Sequence, residues 1–274
     1  MIILILGVTI GLSLFMALAW VYQRRVHNAG WVDVFWTAGL GIAAVTVALA
    51  PIPGTSEPTA RQELIAAMAA FWSLRLGSHL GVRVAHHAED VRYANFRKEW
   101  GADYQRRMFM FLQIQALAAI ILALCILAAA RNPAPGIGIK DWIGVLILGL
   151  AIGGEGIADA QLRRFKANPA NKGGVCDLGL WGWSRHPNYF FEWLVWAGFA
   201  VVAIDFTGQY LWGWLALFGP ISMYWLLVYV SGIPPLETLM LKSRGDAYRS
   251  YQSTTHAFFP LPPRHSTPAK TAHP

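Results

Sequence analysis

Between Trp181 and Trp193 the chain reads Trp-Gly-Trp-Ser-Arg-His-Pro-Asn-Tyr-Phe-Phe-Glu-Trp. Arg185, His186, Asn188, Tyr189 and Glu192 thus crowd the mouth of an apolar helix, where polar side chains are costly unless they find partners or a ligand. The spacing of Arg185, Asn188, Tyr189 and Glu192 places them on one helical face. His186-Pro187 marks the helix start, because proline suits a first turn, and the open amides of that turn favour an anion. A second set, Glu155, Asp159 and Arg163, recurs at i, i+4 and i+8. It reads either as an internal ladder of ion pairs or as a polar wall gripping the hydroxyls and amide of a large ligand. Arg164, Lys166 and Lys172 follow in what is expected to be a loop, where they and the amides around Gly173-Gly174 suit phosphate.

A third stripe, Arg75, His79 and Arg83, has the same spacing, with Trp72 just before it. An arginine inside a span faces the bundle interior, toward an anionic ligand or a carboxylate; snorkelling to the surface is the alternative. Asp33, in Trp31-Val-Asp33-Val-Phe-Trp36, offers such a carboxylate. It is expected as a helix N-cap, with a desolvated proton donor as the other reading. The run Glu89 to Arg97 alternates acids and bases around Tyr93, as solvated surface does. His79, His86 and His87 beside Glu89 lack the dense, repeated clusters of a membrane metal site, so no metal is expected.

These residues need elements to hold them. The chain has 274 residues, only 14% charged, and a mean hydropathy of +0.41, too apolar for an ordinary soluble domain. Seven windows approach the length of a membrane-crossing helix, near 2–22, 32–50, 62–82, 108–129, 141–158, 189–204 and 210–230. A helical bundle is expected, because a closed barrel would show short alternating strands. Loops after the first, third, fifth and seventh windows hold 18 of the 22 Lys and Arg residues. That asymmetry puts the N-terminus outside and the C-terminus in the cytoplasm. The net charge of +7 is then a topology signal with some attraction to anionic headgroups, and nucleic-acid binding is not expected. Residues 1–19 read as a retained first helix, since Arg24-Arg25 follow the apolar run.

Gly149-Leu-Ala-Ile-Gly153 has the small-xxx-small spacing of a helix contact. Pro234-Pro235 are expected to stop the seventh helix. Glu237 to Tyr251 reads as a short interfacial helix, and residues 262–274 as a disordered tail behind a single domain spanning 1–261.

Taken together, these residues resemble the steroid 5-alpha-reductase superfamily, and more closely its bacterial branch of small membrane proteins. The likeness covers most of the chain. Its specific elements are Asp159-Ala-Gln-Leu-Arg163, Leu180 to Glu192, and the ending Tyr251…Ala257-Phe-Phe-Pro260. Val32-Asp33…Trp36 and Asp90-Val-Arg92-Tyr93 match more weakly. The resemblance implies a seven-helix bundle of the bacterial inner membrane, burying NADPH in a cytoplasm-facing cavity. Hydride would pass to the beta carbon of a lipophilic conjugated enone, steroid-like or isoprenoid, and a proton to the alpha carbon.

By that likeness Glu155, Asp159 and Arg163 hold the adenosine or its phosphates, and Asn188 and Glu192 the nicotinamide carboxamide. It also draws Arg75, His79, Arg83, Arg92, Lys166, Arg185, His186, Tyr189, Glu237, Tyr248 and Tyr251 into the cofactor set. Asp33, Trp36, Trp72 and Tyr93 fall at the substrate end, where the superfamily's glutamine-glutamate pair is replaced by Val32-Asp33. Membrane lipids are the other expected partners, and a monomer is allowed. Arg-His-Pro-x-Tyr also occurs in membrane methyltransferases that use S-adenosylmethionine. That leaves a methyltransferase and a non-catalytic lipid-binding protein as the competing readings.

Overall fold

In the computed structural model, residues 1–86 and 89–264 are described, so His87 and the tail from residue 265 lie outside the described residues. Among these, helices α1 (Ile2–Val26), α2 (Trp31–Ala48), α3 (Ala60–His86), α4 (Val91–Trp100), α5 (Tyr104–Ala130) and α6 (Ile139–Ala167) come first. The single turn α7 (Leu180–Trp183) precedes α8 (Pro187–Ala203), α9 (Phe218–Trp225), α10 (Ile233–Arg244) and α11 (Asp246–Thr254). No strand occurs among the described residues; Ser184 and His256 form one isolated bridge.

Among the described residues, five segments are long and apolar enough to cross a membrane: Ile2–Val26, Trp31–Ala48, Val91–Ala130, Ile139–Ala167 and Leu211–Arg244. The chain therefore has the character of an integral membrane protein. The expected third and sixth windows are also helical, as α3 and α8. However, Glu63, Arg75, His79 and Arg83 interrupt α3, and α8 has only 17 residues. On α1, Ile2, Leu6, Ile10, Leu14 and Leu18 are exposed at four-residue steps, a stripe suited to lipid.

The chain divides into two compact units, each assembled from two stretches: 1–148 with 195–221, and 149–194 with 222–274. In the first unit α2 packs against α3 and α5, and α1 against α2 and α5. The helices α2 and α3 meet closely at Gly41, where an added Cβ would lie 2.0 Å from Ser73 Oγ. A buried ion pair, Arg61 Nε to Asp141 Oδ1 at 2.8 Å, joins the start of α3 to the start of α6. Arg61 also donates to the carbonyls of Asn132, Ala134 and Gly136, fixing the α5–α6 connection.

Several expectations change. A Cβ at Gly149 or Gly153 would meet nothing, so those glycines make no helix contact. The close contacts fall elsewhere on α6. Gly144 faces Val202 and the Gly198 carbonyl in the first unit, and Gly154 faces the Phe191 ring in the second. The helix α6 also runs on to Ala167, so Arg164 and Lys166 lie on it and not in a loop. The seventh window is no uniform α-helix: Leu211–Leu217 is 3-10, and Leu226–Val230 winds as a π-turn after α9. Pro234-Pro235 open α10, because proline lacks only an N–H that a first turn leaves unused. The expected helix from Glu237 to Tyr251 is split at Gly245, whose φ of 54° suits glycine. Arg264, which composition places in the tail, donates its backbone N–H to the Thr254 carbonyl at the end of α11 at 2.7 Å.

Candidate functional site

In the first unit a cluster forms where α4 docks on the start of α2. The α2 N-cap is Gly30 and has no side-chain cap, so Asp33 does not cap the helix as expected. Its carboxylate instead accepts from Tyr93 Oη at 2.6 Å and from Arg92 Nη2 at 2.8 Å. Asp90 is the true cap of its helix, accepting from the Arg92 backbone N–H at 3.0 Å. Arg92 Nε donates to Asp90 as well, so one guanidinium ties two carboxylates. Burial alone would raise the Asp90 carboxyl, but Arg92, with Arg83 behind it, outweighs burial and holds it below its ordinary value. The tyrosine is buried at 2% exposure. The acid–base run around it is therefore no solvated surface.

The other first-unit residues stand apart in role. Trp36 donates its indole N–H to the Gln115 carbonyl of α5 at 3.1 Å. Trp72 is buried and meets Trp196 edge-on at 5.3 Å. Arg75 and His79 are half-buried along α3, while Arg83 is exposed and pairs with Asp90 at 3.5 Å.

In the second unit the Trp181–Glu192 run is fastened to α10 and α11. Glu237 accepts from Arg185 Nε at 2.7 Å, Arg185 Nη2 at 3.2 Å, His186 Nε2 at 3.0 Å and Gln252 Nε2 at 2.7 Å. Arg185 Nη1 donates to the carbonyls of Gln252 and Thr255. Burial pushes His186 below its ordinary value against the pull of Glu237, so the ring is neutral and donates through Nε2. Tyr189 stacks on that ring, centroids 5.4 Å apart. Tyr251 donates to the Trp181 carbonyl, and burial raises both it and Tyr248 well above the ordinary phenol range.

Arg185, His186 and Glu237 thus turn their polar atoms toward one another and set the register of α8. On that helix Glu192 is buried and Asn188 half-buried, one turn apart. Along α6, Glu155 is buried, Asp159 half-buried and Arg163 and Lys166 exposed, so this face runs from the interior out to solvent.

Three positioning residues escaped the sequence reading. Ser184, fully buried, accepts from the His186 N–H at 3.1 Å and donates to the Phe258 carbonyl at 2.8 Å. A serine two residues before a helix-opening His-Pro is a legible turn signal. Gln252 and Thr255 had no local signal, because Arg185, which both hold through their carbonyls, lies about 70 residues away, and Glu237, which the Gln252 amide meets, lies 15 away on another helix.

An all-helical membrane chain with buried polar clusters at its helix starts is the class these features define. The family described as a protein of unknown function (DUF1295) matches residues 19–255, and the chain belongs to it, within the steroid 5-alpha-reductase-like superfamily. An uncharacterized protein of Schizosaccharomyces pombe is 25% identical over 236 residues, covering 76% of this chain and 65% of that protein. The chain thus spans just under two thirds of that relative's length. No solved structure matches it.

Proposed function

We propose that the protein is an NADPH-dependent reductase of the carbon–carbon double bond of a lipophilic conjugated enone. In this reading seven spans hold the N-terminus outside a bacterial inner membrane and the C-terminus and active site on the cytoplasmic side. Superfamily membership supports the reaction class. The observation that carries the reading is the Tyr93–Asp33 pair, a buried phenol against a carboxylate that Arg92 also holds.

Tyr93 is suited to donate to the enone carbonyl, which polarises the double bond. When Tyr93 turns from Asp33 to do so, Arg92 still satisfies the carboxylate, so the exchange leaves no bare charge. NADPH, when bound, supplies the hydride. The donor set suits it. Glu192 is an acceptor and Asn188 a donor for a carboxamide, which needs one of each. Glu155 and Asp159 suit ribose hydroxyls, and the exposed Arg163 and Lys166 suit phosphate.

The test is binding of NADPH and of S-adenosylmethionine to detergent-purified protein, followed by enone turnover. NADPH binding is expected, and Tyr93→Phe should lower turnover by about 100-fold or more while leaving cofactor affinity unchanged. Tight S-adenosylmethionine binding with no response to NADPH would sink the reductase in favour of a methyltransferase. Binding of neither would favour a lipid-binding protein. Unchanged NADPH affinity and turnover in Glu192→Gln would remove its nicotinamide role.

A further inference from the structure

Four arginines gather where α1 ends and α5 begins, and the reductase reading uses none of them. Arg24 and Arg25 lie in the last turn of α1, and Arg106 and Arg107 in the first turn of α5. All four are exposed, and none forms an ion pair with a carboxylate among the described residues. Their two placements differ electrostatically. A helix C-terminus welcomes positive charge, whereas the first turn of a helix is its positive end and disfavours arginine. Asp103, the N-cap of α5, makes no side-chain cap hydrogen bond among the described residues. An external anion would relieve this crowding.

The ground beneath the arginines is apolar and built. Trp20 donates its indole N–H to the Gln105 carbonyl at 2.9 Å and meets Phe109 edge-on at 5.5 Å. The Arg24 guanidinium lies over the Trp20 ring, 4.5 Å from its centroid. A groove of about 500 Å³ is lined by Trp20, Gln105, Arg106, Phe109 and Met110. A second depression, about 300 Å³, is lined by Val21, Arg24 and Arg25. Further along the same two helices Leu14, Leu18, Ile114 and Leu117 are exposed. We propose that this groove seats one anionic phospholipid, its headgroup phosphate among the arginines and its acyl chains against the exposed faces of α1 and α5. A soluble anion would need the charges alone. A zwitterionic lipid brings the same phosphate and acyl chains, but its ammonium offsets that charge, whereas an anionic lipid uses the arginines and the apolar face together. The groove offers both, with net positive charge.

This inference is independent of the reductase reading. The full chain in detergent is titrated with dioleoyl phosphatidylglycerol or dioleoyl phosphatidylcholine, which share acyl chains, and bound lipid is counted by native mass spectrometry. Phosphatidylglycerol adducts are expected at a concentration at least tenfold lower. Arg24→Gln with Arg106→Gln should abolish that preference, whereas Lys98→Gln with Lys242→Gln, the same loss of charge elsewhere, should retain it. Equal binding of both lipids by the unsubstituted chain overturns the proposal. So does a preference that survives the groove substitutions, or one that the control pair lowers equally. A photoreactive phosphatidylglycerol on the unsubstituted chain gives a readout free of any folding defect. It should label peptides holding residues 20–25 or 105–110, and labelling confined to other peptides refutes the site.

Discussion

Replacing Glu237 with alanine removes the acceptor on which Arg185, His186 and Gln252 converge. The Arg185 and Glu237 side chains are only 11% and 13% exposed, so the change strands a positive charge in a poorly solvated place. Breaking one side of a buried pair costs about 3–5 kcal/mol. Arg185 keeps the Gln252 and Thr255 carbonyls, which points to the lower end, about 3 kcal/mol. At roughly 2–4 °C per kcal/mol for a chain of this size, Tm should fall by about 6–12 °C. Glu237→Gln should lose less, because its amide oxygen still accepts from Arg185 Nε and His186 while its amine faces two donors. Thermal unfolding of detergent-purified protein, followed by tryptophan fluorescence at one fixed scan rate, measures both. Adding Arg185→Met to Glu237→Ala should cost less than the two single changes summed, since the stranded charge is gone. A Glu237→Ala variant melting within about 2 °C of the parent would refute this account, as would strict additivity with Arg185→Met.

Two further predictions concern α6 and the pH response. Gly154→Ala places a Cβ 2.2 Å from the Phe191 ring and should cost about 1–3 kcal/mol, whereas its neighbour Gly153→Ala meets nothing and should gain up to about 1 kcal/mol; equal Tm values for the two would contradict the packing. His186 is held below its ordinary value of 6.5, so the unfolded chain takes up its proton first. Its stabilising contribution is complete above that pH and is lost as pH falls from there toward the folded value. Tm should therefore drop as pH falls below about 6.5, and His186→Gln, which keeps a donor for Glu237, should flatten the drop; an equally steep fall in that variant would assign acid lability to other groups.

Local signals were readable where structure is set by near neighbours. His186-Pro187 opens α8 because proline's fixed φ and missing N–H act within one turn. The Glu155/Asp159/Arg163 face follows from helical periodicity alone. Asp33 departs from its expected role as a cap because its partners, Arg92 and Tyr93, come from another helix, about 60 residues on. Capping is a local competition, and here a tertiary pairing took the carboxylate instead. Glycine spacing failed for a related reason. Gly149 and Gly153 have the right interval, but a contact needs a partner surface, and on that helix Gly144 and Gly154 meet one closely.

The division of α6 and α8 between two interleaved units bears on how the polypeptide is made. Residue 149 begins the second unit before residues 195–221 complete the first, so neither unit is a finished stretch as it leaves the ribosome. Arg185 emerges 52 residues ahead of Glu237, and Ser184 more than 70 ahead of Phe258. At roughly 5–20 residues per second, that charge waits several seconds for its counterpart. Synthesis therefore passes through an interval in which a cation sits at a helix mouth without its anion. A stop codon ahead of residue 237 would make that interval permanent, and one ahead of residue 258 would leave Ser184 without the carbonyl it donates to.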